Sequence, residues 1–336
     1  MTGRDRKEIG DAFAETLGAD RVGRHVGLDT RTTFRTGGAA DWLLETRSSR
    51  EAARAVAVCH RLGLPVTLLG GGSNVLVGER GVRGLVVRMR HGAIERAGPG
   101  VVRAAGGVTL NGLVRWTVNR GLAGLERWAG TPGTVGGGLH GNAHFQGALL
   151  GERLVRAGLA DPHGRELQVD AAALELGYDR SRLQRTGEAV LWAEFAVAPG
   201  QAAALRQRAC ASLAYRKRTQ PLAAPSAGCI FQNPDPARDH LPEGVPPFAG
   251  ALIDRVGLKG AAVGGAMVSR LHANFIVSDG RATASDVRRL IENCRAAVRE
   301  RLGVTLRDEI VYLGEFEWTA RGGPGVPQPA GRERTA

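Results

Sequence analysis

The segment "LPVTLLGGGSNVLV" (residues 64–77) holds two apolar runs, Leu64 to Leu69 and Val75 to Val77, on either side of three consecutive glycines. Runs this short, interrupted by glycine, read as buried strands joined by a loop. Just upstream, Ser48 with Glu51 three residues later has the spacing of a reciprocal helix cap. The helical pattern then runs through Val56 and Cys59 to Leu62 and stops at Gly63, where a left-handed residue is needed. Before it, "FRTGGAADWLLETRS" (34–48) opens the folded body with a turn and an alternating strand. Strand, helix, strand, glycine loop and strand make a β-α-β beginning, the opening of an α/β or α+β domain.

Outward from there, residues 1–32 read as a charged helix and a lead-in. Residues 82–89 and 100–107 read as strands around Gly98-Pro99-Gly100, and Leu110, Leu113, Val114 and Val118 mark a short helix ending at Gly121. Strands resume near 153–169 and 189–197. Pro199-Gly200 marks a boundary, and a helix follows from about 201 to 217. Thr283 and Asp286 cap a last helix with Val287, Leu290, Ile291, Cys294, Val298 and Leu302 on one face and Gly303 as its stop; residues 306–316 form a final strand. The domains expected are a body at 33–198 and a second unit at 201–316, with residues 319–336 a disordered Gly/Pro/Arg tail.

The composition narrows the function. The chain has 336 residues and is 43% hydrophobic, with no apolar run of membrane-spanning length. The charged N-terminus lacks the apolar core of a secretory signal, so a cytoplasmic protein with no membrane partner is expected. Cys59, Cys210, Cys229 and Cys294 are widely spaced with no C-x-x-C pair, which points to neither a metal site nor a disulfide framework. Cys59, Cys210 and Cys294 fall in helical patterns and are expected in cores. The formal charge of +12 rests almost wholly on scattered arginines, since only Lys7, Lys217 and Lys259 are lysines. No basic run with interleaved aromatics occurs, so no nucleic-acid partner is expected, while anionic small molecules suit the charge.

Three segments carry candidate chemistry. Gly70-Gly71-Gly72-Ser73-Asn74 has two readings: a phosphate cradle of bare backbone N–H groups, or a tight strand connection. It is neither a G-x-G-x-x-G fingerprint nor a Walker loop. The glycine-dense stretch 130–138, ending in Asn142-Ala143, can lie flat against a planar ligand or serve as an irregular interface loop. Cys229, among the turn residues of "PSAGCIFQNP" (225–234), either fills an apolar gap or presents a thiol to a pocket.

Taken in order, "LLGGGSNVLV" (68–77), "GTPGTVGG" (130–137) with Asn142-Ala143, "RKRTQP" (216–221), "PSAGCIFQNP", "GLKGAAVGGAMVSRLHANFIV" (257–277) and "LRDEIVYLGEF" (306–316) resemble the UDP-N-acetylenolpyruvoylglucosamine reductases. The likeness spans about residues 33 to 316 and fits the shorter of the family's two forms. It implies an α+β fold: a two-subdomain FAD-binding domain of the vanillyl-alcohol-oxidase (PCMH) type, then a smaller α+β substrate-binding domain. It implies bound FAD, NADPH as hydride donor, and reduction of an enolpyruvyl nucleotide-sugar to UDP-N-acetylmuramate for the cell wall.

The resemblance assigns residues as well. Gly70, Gly71, Gly72, Ser73 and Asn74 would cradle the FAD pyrophosphate. Pro132, Gly133, Thr134, Gly136, Gly137, Asn142 and Ala143 would line the flavin and its ribityl chain. Arg216, Arg218, Gln220, Asn233 and Lys259 would face the nucleotide-sugar or the other reactant. Cys229 would be the proton donor, a thiol of ordinary pKa roughly 8.5 being a credible acid near neutrality. Glu309 would be the catalytic glutamate.

The family's catalytic arginine normally lies in Tyr-Arg-x-Ser, whereas this chain reads Tyr178-Asp179-Arg180-Ser181. Arg180 is therefore the candidate, with Arg182 the fallback, because a one-residue shift in a strand turns a side chain to the other face. Gln232 stands where lysine is common, and His144 and Phe145 depart from the usual Asn-Ala-Gly-Ala-Tyr-Gly. His272 has a site reading and a structural one. The alternative activity on the same fold is an FAD-dependent oxidase of a small alcohol or sugar; outside that fold, the alternative is a non-catalytic basic binding protein.

Overall fold

The structure, a computed structural model, describes residues 3–90 and 92–317; the tail expected at 319–336 lies outside the described residues. The β-α-β opening forms a four-stranded sheet in the order Val22–Gly27, Ala39–Glu45, Val82–Arg88 and Val66–Leu69. Its last two neighbours pair in parallel and its edge strand Val22–Gly27 antiparallel. The helix Ser49–Arg61 buries Ala52, Ala53, Ala55, Val56, Val58 and Cys59. Ser48 caps it as expected, accepting from Glu51 N at 3.1 Å. The Glu51 carboxylate does not return to Ser48: it accepts from Arg47 N at 2.5 Å and pairs with Arg21 at 2.6 Å. Gly63 ends the helix at φ +62°, a conformation that costs glycine little.

The second sheet is antiparallel, in the order Glu166–Asp170, Leu154–Ala160, Ala189–Ala196, Val101–Ala105, Ile94–Gly98. Leu110, Leu113, Val114 and Val118 of the helix Leu110–Asn119 enter its core, together with Val135 and Leu139 of the helix Val135–His140. Glu194 is buried in this sheet between Arg103 and Arg156 of the flanking strands, each 2.6 Å away. Burial alone would raise its carboxyl pKa, but the two guanidiniums more than offset that and hold it low.

The helix Ala202–Thr219 leans back on the second sheet, with Leu205 inside that core. Only Leu205 and Arg216 of it are buried, so Cys210 is exposed, against the expectation of a core thiol; Cys59 and Cys294 are buried as expected. The remaining chain builds a three-stranded antiparallel sheet, Ala262–Val263, Ala266–Val268 and Ile276–Ser278. The helices Ala249–Arg255 and Ala284–Leu302 share its core. Val287, Leu290, Ile291, Cys294 and Val298 are the buried face of the longer helix. Each large apolar side chain there contributes roughly 1.5–3 kcal/mol relative to exposure. The last strand, Val311–Leu313, does not stay with this sheet. It returns to pair in parallel with Val75–Val77, directly after the first glycine loop.

Thr283 and Asp286 form the full reciprocal cap of the helix Ala284–Leu302, and Gly303 stops it at φ +70°. Thr283→Ala removes one half of that cap. It is expected to destabilise this unit by about 1 kcal/mol, read as an earlier midpoint in denaturant unfolding. An unchanged midpoint would mean that the cap contributes nothing here.

Candidate active site

The two glycine loops meet backbone to backbone. A β-carbon on Gly71 would lie 2.8 Å from Gly133 Cα, and one on Gly133 would lie 2.9 Å from Ser73 Oγ. A β-carbon on Gly70 would collide with Thr134 Oγ1, and one on Gly72 with Arg31 O. Gly72 and Gly133 also adopt φ of +65° and +97°, which glycine tolerates best. The loop is therefore more than a strand connection, since every glycine in it is required by a contact. The main-chain N–H groups of residues 70–74 donate to no protein acceptor among the described residues. A row of unspent donors on a loop without side chains suits a phosphate. At the loop's end, Asn74 Nδ2 donates to Glu309 O at 2.9 Å, and Val311 N donates to Asn74 O at 3.0 Å.

Residues 229–232 run between two other segments. Ile230 N donates to Asn274 O at 2.8 Å, while Ile230 O accepts from Glu309 N at 2.8 Å. Cys229 lies opposite Phe275 and Phe231 opposite Asp308, and Gln232 N donates to Arg307 O at 2.9 Å. This main-chain sandwich sets Cys229 and Glu309 side by side. Asn274 clamps it: its amide accepts from Phe231 N at 3.0 Å, donates to Phe231 O at 2.8 Å, and its side chain bonds the Cys229 sulfur. Burial, then the charge of Glu309, pushes the Cys229 thiol up. Burial, then the charge of Asp179, pushes the Glu309 carboxyl well above its usual range. Both shifts favour the acid form of the group.

The cation beside them is Arg216. It is 5% exposed, donates to Thr131 Oγ1 at 2.7 Å and Gln220 Oε1 at 3.4 Å, and its guanidinium stands 3.7 Å over the ring of Phe145. Its Nε has no partner. Burial draws its pKa down to about 10, with the charge of Cys229 opposing. His144 lies nearby, its ring 4.6 Å from that of Tyr178, and burial together with Arg216 keeps it neutral.

The hairpin Gly177–Arg180 explains the displaced arginine. Ser181 is fully buried and donates to His140 O at 2.7 Å, which fixes the register. Tyr178 and Asp179 then occupy the tip, with Asp179 at φ +48°. Asp179 Oδ2 accepts from Gln232 Nε2 at 2.6 Å, and the Tyr178 hydroxyl accepts from Asn233 N at 3.2 Å. Arg180 is exposed and lines a shallow depression with Asn142, Leu149, Glu175 and Leu176. Arg182 is spent on Glu188, at 2.8 and 3.0 Å, and on Ala173 O. The structure thus brings together Cys229, Glu309, Asp179, Tyr178, Gln232 and Arg216; Arg180 and Arg182 lie apart from them.

Other expected residues have defined places. Asn142 is buried at φ +47° and ties Gly177 O to Gly151 N, both at 2.8 Å, so its amide joins the second glycine loop to the base of the hairpin. Asn233 Oδ1 accepts from Ala249 N at 3.1 Å, Lys259 pairs with Asp254 at 2.6 Å, and Arg218 is exposed 5.8 Å from the ring of Tyr215. His272 Nδ1 accepts from Asn274 N at 3.3 Å, a structural use. Sequence reasoning missed Asn274 and Thr131. Both lie inside motifs that were read for other residues, and no local pattern marks an amide that clamps a distant segment.

Residues 220–313 match the UDP-N-acetylenolpyruvoylglucosamine reductase C-terminal domain, and residues 40–170 match an FAD binding domain. The chain is 40% identical over 288 residues to the UDP-N-acetylenolpyruvoylglucosamine reductase of Moorella thermoacetica, covering 86% of this chain and 92% of that one. It is 40% identical over 291 residues to the enzyme of the same name from Synechococcus sp. WH7803, covering 84% and 90%. The crystal structure of the Thermus caldophilus reductase superimposes with a TM-score of 0.73 at 32% identity, covering 88% of this chain and 99% of that one. The α+β fold with an FAD-binding domain, expected from the sequence, is borne out by these matches.

The protonation states are directly testable. With iodoacetamide at neutral pH, Cys210 is expected to label first, and Cys229 several-fold more slowly because its thiol stays protonated. Labelling of Cys229 as fast as Cys210 in the unmodified protein would contradict the assignment.

Proposed function

The chain belongs to the UDP-N-acetylenolpyruvoylglucosamine reductase family, and from that premise we propose which of its residues carry the reaction. The activity is NADPH-dependent reduction of the enolpyruvyl ether of UDP-N-acetylglucosamine-enolpyruvate to UDP-N-acetylmuramate, in peptidoglycan precursor synthesis. FAD is the cofactor, and the chemistry it supplies when bound is the relay of hydride from NADPH to the terminal carbon of the enol ether.

Residues 33–198 form the FAD-binding unit in this reading and residues 201–316 the substrate unit. The N–H groups of Gly70 to Asn74 hold the pyrophosphate. Pro132 to Gly137 give the flavin and its chain a surface without side chains, and Asn142 and Ala143 hold that surface in place. The fit rests on the cradle itself, which β-carbons would fill and whose donors the protein leaves unspent.

The juxtaposition of Cys229 and Glu309 on paired backbone segments carries the mechanistic reading. Hydride at the terminal carbon leaves enolate character on its neighbour, and that carbon needs a proton from a fixed donor. Cys229 holds its proton at rest, clamped by Asn274, and delivers it. Protonated Glu309 donates a hydrogen bond to the developing oxyanion, where a preorganised donor in a partly dry cleft is worth most. Arg216 is the guanidinium that meets the substrate carboxylate, since it is the one facing Cys229 and keeps an unspent Nε–H. Gln220 orients Arg216, and Asn233, Arg218 and Lys259 line the approach of the nucleotide-sugar. No helix among the described residues is long and apolar enough to cross a membrane. A cytoplasmic location is part of the proposal.

The test separates the two halves of the reaction under anaerobic conditions. NADPH is expected to bleach the flavin of wild type and of Cys229→Ala alike. On adding the enolpyruvyl nucleotide-sugar, wild type should form product, while Cys229→Ala loses about 100-fold or more in the protonation step. Cys229→Ser should retain substantial turnover. Normal product formation by Cys229→Ala would remove the thiol from the mechanism.

A further inference from the structure

The hairpin Gly177–Arg180 carries a carboxyl, and not a cation, into the cleft. Two hydrogen bonds cross from its tip to the segment after Cys229: Gln232 Nε2 to Asp179 Oδ2 at 2.6 Å, and Asn233 N to the Tyr178 hydroxyl at 3.2 Å. Gln232 is itself paired through its backbone to Arg307, two residues before Glu309. Asp179 and Glu309 thus both meet the segment that follows Cys229, Asp179 through the Gln232 side chain and Glu309 through the Ile230 carbonyl.

The groups around them can be named element by element. Tyr178 shares the hairpin, and burial pushes its hydroxyl up to about 12, so it is neutral. Cys229 and Gln232 come from the central segment, and His144, kept neutral by burial, from the second glycine region. Arg216 comes from the helix Ala202–Thr219, turned toward Thr131 and Gln220. The other arginines at hand are occupied: Arg307 by Asp239, Arg295 by Glu292 and Asp308, Arg182 by Glu188. No guanidinium or ammonium forms an ion pair with Asp179 or Glu309 among the described residues. Two carboxyls in one partly buried place with no paired cation do not both ionise near neutrality.

We propose that Asp179 is a positioning residue of the reductase site: its carboxylate, fixed by Gln232, keeps Glu309 in the acid form, so that Glu309 donates its hydrogen bond to the substrate. The inference rests on the reading of Glu309 under Proposed function. Its sign follows from the two environments. Burial lifts Asp179 to about 6, so at neutral pH it is mostly ionised. Its charge adds to the burial that already raises Glu309, and the proton stays on Glu309. The pair titrates as a unit, with Asp179 the first to release its proton as pH rises. Asn at position 179 keeps the shape and an acceptor for Gln232 but removes the charge, so Glu309 should lose its proton at lower pH.

The experiment compares wild-type and Asp179→Asn holoenzymes in two readouts. The first is the pH profile of reoxidation of the NADPH-reduced enzyme by the enolpyruvyl nucleotide-sugar. Its alkaline limb, where the rate falls as Glu309 ionises, should move to lower pH by about one unit in Asp179→Asn. The second is the protonated-carboxyl infrared band of the resting enzyme, assigned by its loss in Glu309→Gln; in Asp179→Asn it should disappear at lower pH than in wild type. A lower rate with an unmoved limb would make Asp179 merely structural, and superimposable bands would overturn the coupling. A wild-type enzyme that the nucleotide-sugar never reoxidises would sink the reductase reading instead, while the infrared comparison still decides whether Asp179 holds the proton on Glu309.

Discussion

The contact on which the rest of the site depends is the approach of Gly71 to Gly133, so close that Gly71 cannot carry a β-carbon in place. It presses together the loop that follows the strand Val66–Leu69 and the loop that leads into the helix Val135–His140, and the donors of residues 70–74 meet no protein acceptor among the described residues. The same loop is tied at its far end by Asn74 to the backbone of Glu309, 235 residues later. A cofactor cradle and a catalytic carboxyl are therefore parts of one rigid connection. The final strand, Val311–Leu313, completes it by pairing with Val75–Val77 instead of with its own neighbours.

Two buried carboxylate environments contrast. Glu194 sits between Arg103 and Arg156 and is held low, a paired charge whose burial is compensated. Glu309 and Asp179 are buried without such partners and are pushed up. The first arrangement stabilises a fold; the second leaves a proton where chemistry can use it. That no arginine forms an ion pair with Glu309 or Asp179 among the described residues makes the raised Glu309 pKa a consequence of placement. Cys229 is protonated as well, because burial opposes its thiolate.

Much of this was legible in local sequence. Gly63 and Gly303 end helices in the left-handed conformation their positions demand, and Thr283 with Asp286 closes the cap that the spacing announces. The ordered motifs from Gly70 to Glu309 sufficed to place the family. Side-chain direction was less legible. Whether Asp179 or Arg180 faces the cleft depends on the burial of Ser181 against His140, a contact 41 residues away. Asn142 faces inward because its amide bridges Gly177 and Gly151, and Asn274 matters because it clamps a segment 43 residues distant. Cys210 sits in a helix whose amphipathic pattern is weak, and only packing decides that it is exposed. Each of these is a tertiary choice among locally equivalent options.

The most direct measurement is the flavin content of purified Gly71→Ala beside that of wild type, with unfolding midpoints for the FAD-free forms of both. The β-carbon would force the loops apart at Gly133, so the account predicts a protein that folds, gives a midpoint near that of wild type, and loses its yellow colour even after incubation with FAD. A Gly71→Ala protein that retains FAD as fully as wild type would contradict it, because the cradle would then not depend on the contact between the two loops.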